Sequence, residues 1–230
     1  MALPRISIVI PVLNEASTIA GVLAAAQAGV ELEVIVVDGG SSDGTLQQVQ
    51  GSGVRLLQTS AGRARQMNQG AAIATGGILL FLHGDTRLPI GFDQQVRQTL
   101  AKSGVIAGAF QLKIDCPTPG LRKIEHLVNW RSHLLQMPYG DQALFLKTET
   151  FQKLGGFPDL PIMEDFELVR QLGRLGRIAI VPLSVTTSGR RWEKLGLVKT
   201  TLINQLMIVG YVLGVSPTRL ATWYRHGRTN

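Results

Sequence analysis

Four short apolar runs, each closed by a breaker or a polar cluster, mark the first third of the chain: ISIVIP (Ile6–Pro11), EVIVVD (Glu33–Asp38), VRLLQ (Val54–Gln58) and ILLFLH (Ile78–His83). Their length and their β-branched content read as strands. Between the first two, Ile19, Val22, Leu23 and Ala26 recur at the spacing of one helix face, and a second helical stretch runs from Arg63 to about Ala74. Strand, helix and strand in alternation predict parallel βαβ units with right-handed crossovers. Two further strands are expected at Val105–Ile114 and Ala143–Lys147. Helices are expected at Gly91–Ala101, Leu121–Gln136, Thr148–Leu154 and Asp165–Leu175. No internal repeat or low-complexity linker breaks the pattern.

A chain of 230 residues with 45% hydrophobic and 17% charged side chains can bury a sizeable core as one domain, or as a domain with an appended element. Its net charge of +7 is uneven: Gly189–Asn230 holds seven Lys/Arg and one Glu, hence +6, and the rest is close to neutral. The basic character is therefore local, and no face interleaves aromatic and basic residues, which argues against a nucleic-acid partner. Cys116 stands alone, so neither a disulfide framework nor a metal–thiolate cluster is available. MALPRISIVIPVLNE lacks a small-residue cleavage pattern and reads as a first strand, so a cytoplasmic location is the default expectation.

In an open parallel sheet, ligands bind beyond the carboxyl ends of the strands. Asn14 and Glu15 follow the first strand, Asp38 ends the second, and His83 to Asp85 follow the fourth. A carboxylate at the mouth of a buried strand is costly unless something pairs with it. In VVDGGSSDGT, glycines such as Gly39 allow close backbone approach, and Asp38 suits the imide hydrogen of a uracil or a ribose hydroxyl. Asp43 or Ser42 reads as the cap of the next helix. The Lys–Ser/Thr ending of a P-loop is missing. Of Arg63 and Arg65, which begin a helix aimed at the same end, Arg65 is the expected phosphate or base contact. A diphosphate here needs a hard divalent cation, magnesium or manganese, held by Asp85. His83 is either a second ligand or a histidine bonded to the backbone.

Taken in order, IVIPVLNE, VVDGGSSDGT, RQMNQG (Arg65–Gly70), FLHGDT, GGFPDLPIMEDFEL and RRW resemble the motif set of family-2 glycosyltransferases, and they span Ile6 to about Trp192. The resemblance implies an α/β, Rossmann-like nucleotide-diphospho-sugar transferase fold (GT-A type), with a mostly parallel central sheet flanked by helices and with C-terminal helices. A glycosyltransferase domain is expected over residues 1–194, and a helical extension over 195–230 packed on the same domain. The resemblance further implies inverting transfer from a nucleotide-diphospho-sugar, uridine favoured over guanosine, to an acceptor hydroxyl or carboxyl. Pro11, Asn14, Glu15, Asp38, Gly39, Arg65 and Asp85 are the expected donor contacts. Members usually carry Asp-x-Asp where this chain has HGD. The first acidic position is thus His83, and the second, Asp85, is the one that meets the metal.

By the same resemblance Asp165 is the general base, with Glu164 supporting it or touching the acceptor. Read alone, MEDFELVR is an acidic helix start favoured by the helix dipole. YGDQALF (Tyr139–Phe145) is expected to line the sugar or acceptor pocket through Asp141 and Gln142. SGRRWEK resembles the Arg-Trp end of a motif of processive members, in which a Gln stands three residues before the Arg. Ser188 stands there in this chain. A diphosphate contact by Arg191 and a stacking surface from Trp192 are expected; processive synthesis is not.

LMIVGYVLGV (Leu206–Val215) is an apolar run of ten residues stopped by Pro217. At ~1.5 Å per residue it cannot cross a hydrocarbon layer of about 30 Å. It is either a helix packed on the domain or a peripheral membrane contact within residues 195–230. Arg190, Arg191, Lys194, Lys199, Arg219, Arg225 and Arg228 surround it, an arrangement that suits a lipid or other apolar acceptor. Two other classes compete with a transferase. A nucleotidyltransferase expects a Gly-rich basic loop after the first strand, where PVLNEAST offers an acid and no base. A non-catalytic nucleotide-sugar binder or membrane scaffold has no need of both Asp85 and Asp165.

Overall fold

The computed structural model describes residues 3–118 and 120–229, with side chains through residue 225 in the last helix. The elements run β1 (Ile6–Val12), α1 (Ile19–Ala26), β2 (Leu32–Asp38), α2 (Thr45–Gln50), β3 (Arg55–Gln58), α3 (Arg63–Ile73), β4 (Ile78–Phe81) and β5 (Thr86–Arg87). They continue through α4 (Phe92–Leu100), β6 (Val105–Asp115), α5 (Leu121–Leu135), a 3-10 turn (Gly140–Gln142), β7 (Phe145–Lys147), α6 (Thr148–Lys153), α7 (Glu164–Leu175) and β8 (Arg177–Ser188). Three helices close the chain: α8 (Arg190–Leu195), α9 (Leu197–Val212) and α10 (Pro217–Thr229).

One sheet orders these strands β3-β2-β1-β4-β7-β6-β8-β5. The β3, β2, β1 and β4 group is parallel, as is the β6–β8 pair, whereas β7 runs antiparallel to both of its neighbours. That reversal decides the geometry of the site. An antiparallel strand presents its N-terminal end where its parallel neighbours present their C-terminal ends. The turn before β7 therefore lies beside the end of β4, with Leu80 opposite Phe145.

Alternation along β1 sends Ile6, Ile8, Ile10 and Val12 to the core face that α1 and α4 cover, and Val9 to the face of α3 and α7. Burial on both faces is what a parallel sheet needs. α3 lies so close to the sheet that a Cβ on Gly70 would fall 2.4 Å from a Val9 methyl.

β5 and β8 are absent from the sequence reading. Pro182 and mixed polar positions hide the alternation of RIAIVPLSVTTS. In the sheet Val181 pairs with Phe110 and Ser184 with Gln111, so Pro182 and Leu183 fall in a bulge, where a strand tolerates proline. β5 has only two residues and is defined by its pairing with Thr186 and Thr187 of β8.

Pro217 does end the apolar run, but it also begins α10, in the first-turn position that suits its missing N–H. α9 and α10 pack on the start of α7: Met207, Leu220, Met163 and Phe166 form a small core, and the Phe166 and Tyr211 rings meet edge to face at 5.6 Å. Tyr211 also donates to Glu167 at 3.2 Å. The C-terminal helices thus form a wall of the cleft in which α7 begins.

Ser7, Thr75 and Arg55 converge on Glu33 at the far end of the sheet, with Thr75 N–H at 2.8 Å and Arg55 Nη1 at 2.6 Å. Burial opposes the charge of Glu33, but these bonds outweigh it and hold the carboxyl down to about 2. A lowered folded value stabilises above the unfolded value of about 4.5, and that contribution disappears as pH falls towards 2. Glu33→Gln should remove on the order of 2 kcal/mol of this acid-sensitive stability. Urea unfolding of parent and variant at pH 7, 4 and 2.5 measures it, and parallel pH curves would rule it out.

Candidate active site

The loops after β1 and β2 are stapled together. Asn14, in a left-handed conformation (φ 57°), donates its N–H to Ser41 Oγ at 2.9 Å and accepts the Ser42 N–H on Oδ1 at 2.9 Å. Asp38 is fully buried and accepts the N–H groups of Gly40 (2.9 Å) and Ser41 (3.0 Å). Asp43 accepts from Thr45 N–H (2.9 Å) and Ala16 N–H (3.1 Å), so it ties the start of α2 to the β1 loop. Pro11 is buried within β1, opposite Val37. Beneath Gly39, the Gln66 amide donates to Val12 O and Val37 O at 2.9 and 2.8 Å, and a Cβ on Gly39 would meet Gln66 at 3.1 Å.

Three strand ends meet at Arg190. Its guanidinium pairs with Glu15, lies 3.5 Å from Asp85 Oδ2 and donates to Ser17 Oγ at 3.2 Å. Asp85 O in turn accepts the Ser188 N–H at the end of β8 (3.0 Å). Arg191, the expected diphosphate contact, turns away instead. Its guanidinium carbon lies 4.6 Å from the Tyr224 ring centre, and it donates to the Tyr224 hydroxyl. Trp192 is half-buried against the core. The first turn of α8 therefore divides its side chains between the strand ends and α10.

A similar exchange occurs on α3. Arg65 bonds Ser60 Oγ at 2.6 Å on the exposed side, whereas Arg63 pairs with Glu164 of α7. Two residues along a helix are about 200° apart, so the two arginines cannot share a target. Burial works against the Arg63 charge, but Glu164 and Asp165 more than offset it and raise its pKa. Glu164 is only 1% exposed, so it anchors Arg63 and does not face solvent.

Asp165 is held at both oxygens: Oδ2 accepts the Gly140 N–H and Oδ1 its neighbour Phe166 N–H, each at 2.8 Å. A Cβ at position 140 would lie 2.7 Å from Asp165 Oδ2, so a larger residue there would displace the carboxylate. Arg63, His83, Tyr139, Gly140 and Asp165 line a small cavity floored by Phe81. Burial first, and the Arg63 charge next, push His83 down to about 4, so the imidazole is neutral at pH 7. Burial and then Asp165 push Asp141 up to about 6, against the pull of Arg131 and Arg63.

Gln142, expected in the sugar or acceptor pocket, is a scaffold residue. It is fully buried, accepts from Ser132 Oγ (2.8 Å) and Tyr139 N–H (3.2 Å), and donates to Phe110 O (2.8 Å). Asp165, Asp141, His83 and Arg63 are thus brought together on one side, and Asp85, Glu15 and Arg190 on the other. Arg190 and Arg131 were not singled out for the site, since cations on helices are common and nothing in the local pattern marks these two.

Asp85 offers a hard oxygen donor, with Arg190 at 3.5 Å and Thr86 Oγ1 at 3.4 Å beside it. One carboxylate joined by phosphate oxygens is a donor set that suits magnesium or manganese. Among the described residues no group of three or more His, Cys, Asp or Glu could hold a metal unaided. Such a cation would therefore depend on oxygens supplied by a ligand. His83, which lines the cavity with Gly140 and Asp165, carries a neutral ring able to ligate.

Two kinds of relative bear on these features. The glycosyltransferases of PGL/p-HBAD biosynthesis from Mycobacterium tuberculosis and Mycobacterium bovis are 40% identical over 97 residues, 38% of this chain and 38% of theirs. An uncharacterized M. tuberculosis protein is 39% identical over 94 residues, 38% of this chain and 30% of its own. The matched segment is thus 30 to 38% of the length of these curated relatives. Among solved structures, a mannosyltransferase from Pyrobaculum calidifontis, in complex with GDP-Man and Mn2+, aligns over 100% of this chain and 74% of its own (TM-score 0.69, 19% identity). S. aureus TarS in complex with UDP aligns over 80% and 60% (TM-score 0.65, 18% identity). M. tuberculosis glucosyl-3-phosphoglycerate synthase, in complex with Mn2+, UDP and glucosyl-3-phosphoglycerate, aligns over 88% and 79% (TM-score 0.62, 22% identity). These likenesses show the fold, an α/β GT-A architecture with C-terminal helices. The family model for Glycosyl transferase family 2 covers residues 7–156, from β1 through α6 and short of Asp165. A match over well more than half of the sequence, on the fold its members share, makes this chain a member of glycosyl transferase family 2.

Proposed function

We propose that the protein is an inverting glycosyltransferase that moves a sugar from a nucleotide-diphospho-sugar, with uridine the preferred base, to an acceptor hydroxyl or carboxyl. The observation that carries this reading is the pairing of a carboxylate oriented by two backbone N–H groups, Asp165, with strand-end acids a few residues beyond β1 and β4. Asp165 takes the proton of the acceptor as its oxygen attacks the anomeric carbon from the face opposite the leaving diphosphate. Gly140 and Phe166 fix the carboxylate so that little reorganisation is needed at that moment. Glu164 acts through Arg63 as a positioning residue.

Asp85 would hold a divalent cation together with the diphosphate, with His83 as a second candidate ligand; bound there, the ion neutralises charge that develops on the leaving group. Arg190, next to Asp85, is the cationic side chain best placed to follow that charge. Asp38, Gly39, Asn14 and Glu15 form the nucleoside side, and Arg65 and Arg191 are outer cations whose present contacts are Ser60 and Tyr224. Complexes of the structural relatives with UDP or GDP-Man support a nucleotide donor.

The C-terminal helices supply a second element of the reading, a peripheral contact with an anionic membrane and hence an apolar acceptor. Val198, Leu202, Leu206, Val209, Val212 and Leu213 of α9 and the residue after it are 52 to 78% exposed. At about 100° per residue they fall in one stripe roughly 120° wide. No acid follows Glu193 in the chain, while Lys194, Lys199, Arg219 and Arg225 flank the stripe; the Arg228 side chain lies outside the described residues. Among the described residues no helix is long and apolar enough to cross a membrane.

Three outcomes test this reading. Asp165→Asn keeps an oxygen for the Gly140 N–H and should lower sugar transfer or donor hydrolysis ~100- to 10,000-fold, with metal–nucleotide affinity unchanged. Retained turnover would remove Asp165 as the base, and affinity falling in step with turnover would make it a binding group. Asp85→Asn should weaken UDP binding when manganese is present and leave metal-free binding unchanged, by calorimetry. Equal affinities would take Asp85 out of the cation site. Vesicles containing phosphatidylglycerol should sediment the protein at low salt and release it at high salt. Leu206→Glu with Val209→Glu should abolish that sedimentation without lowering the melting temperature, and unchanged sedimentation would exclude α9 as the contact.

A further inference from the structure

The register of β6 with β7 ends at Gly108, and beyond it α5 covers the bare edge of β6 with side chains. Asn129 Oδ1 accepts the Leu112 N–H at 2.7 Å, and the Asn129 amide donates to Leu112 O at 3.0 Å. Glu125 accepts the Ile114 N–H at 2.5 Å, and Ser132 Oγ donates to Gln142 at 2.8 Å. At about 100° per residue, positions 125, 129 and 132 share an arc of roughly 60°. These bonds fix the roll of the helix, so its opposite face is turned outward.

That outward face carries an apolar crest. Leu127, Trp130 and Leu134 fall within roughly 60° of one another, and they are 64, 64 and 61% exposed. Lys123 stands in the same arc and is exposed. On one flank an open groove of about 760 Å³ is lined by Gln111, Lys113, Arg122, His126, Trp130 and His133, among others. Between Asp115 and Asp141 the sole acid in the chain is Glu125, which is 8% exposed and paired with Arg122. Asp115 is itself paired with Arg87 at 2.6 Å. The outer surface of α5 is thus apolar along its crest and cationic beside it, with no exposed acid on the helix.

Three side chains make a poor seat for a protein, since stable interfaces engage ~20 to 30 residues a side. A bilayer asks for less: an apolar crest inserted to a shallow depth, with cations among the headgroups. Trp130 suits that level, because its ring joins an apolar body to a polar N–H. We infer that α5 is a membrane contact in its own right. Leu127, Trp130 and Leu134 enter the acyl boundary of an anionic bilayer, and Lys113, Arg122 and Lys123 meet the lipid phosphates. The contact is distinct from the stripe on α9 and does not depend on the transferase reading. The two helices do begin beside each other: a Cβ on Gly120 would lie 3.3 Å from Leu197.

The test uses the full chain with vesicles of phosphatidylcholine and phosphatidylglycerol whose acyl chains are brominated. Binding should quench the tryptophan emission of the parent, and in Trp130→Phe most of that quenching should disappear. Quenching equal to the parent's in Trp130→Phe would place the bilayer elsewhere, overturning the α5 contact and leaving the α9 contact standing. Leu127→Glu with Leu134→Glu should weaken vesicle partitioning about tenfold or more, with the melting temperature unchanged because both positions are exposed. Partitioning of that variant at the parental level would also overturn the contact. A lipid-free dimer that dissociates in the same variant, seen by sedimentation velocity, would assign the crest to a second copy of the chain instead. A parent that binds no anionic vesicle even at low salt would overturn the α5 and α9 contacts together.

Discussion

A buried carboxylate that must be paired governs how the two halves of this molecule meet. Glu164, at the first position of α7, is almost wholly removed from solvent, and its partner Arg63 comes from the first turn of α3. A cation at a helix N-terminus is unfavourable with respect to the helix dipole, whereas an acid there is favourable. The pair accommodates that conflict by crossing from the sheet half that carries the loops after β1 and β2 to the helix that carries Asp165. Removing Arg63 would strand Glu164, and a stranded buried charge costs several kcal/mol, on the order of 3 to 5; Arg63 itself keeps access to solvent. The position of Asp165 relative to the strand ends is therefore tied to an ion pair in which it takes no direct part.

Strand direction does the rest. With β7 antiparallel to β4, the short Gly140–Gln142 turn is delivered to the same end of the sheet as Asp38, Glu15 and Asp85. Gln142 locks that turn to α5 and β6, which places the Gly140 N–H on Asp165. β6 and β8, parallel to each other, bring Ser188 and Arg190 to that end as well. Acids and cations from five separate stretches of sequence thus gather at one rim. The C-terminal helices close it on the side of α7, through apolar contacts with Met163 and Phe166.

The alternation of apolar runs with helical spacings, and the acids placed at strand ends, made the parallel half of the fold and the location of the cleft legible before any coordinates. Buried strands have few other ways to satisfy both faces, and polar residues at their ends have few places to go. Strand β8 was not legible, because its pairing passes through a bulge at Pro182 that breaks the two-residue period. The choice between Arg63 and Arg65, and between Arg190 and Arg191, was equally hidden. Adjacent or nearly adjacent arginines look alike in composition, and they differ only in the direction a helix turn points each one.

The sequence by itself determined which residues would be strands in the first half, that the chain would belong to an α/β class, and that Asp38, Asp85 and Asp165 would lie at element boundaries. Those are consequences of local periodicity and of the cost of burying charge. Only the tertiary structure decided that Gln142 is scaffold, that Arg63 faces Glu164, and that Arg131 stands over Tyr139 near Asp141. Each of these depends on the meeting of elements distant in sequence, and a side chain's partner is set by the packing of the backbones that bring the two together.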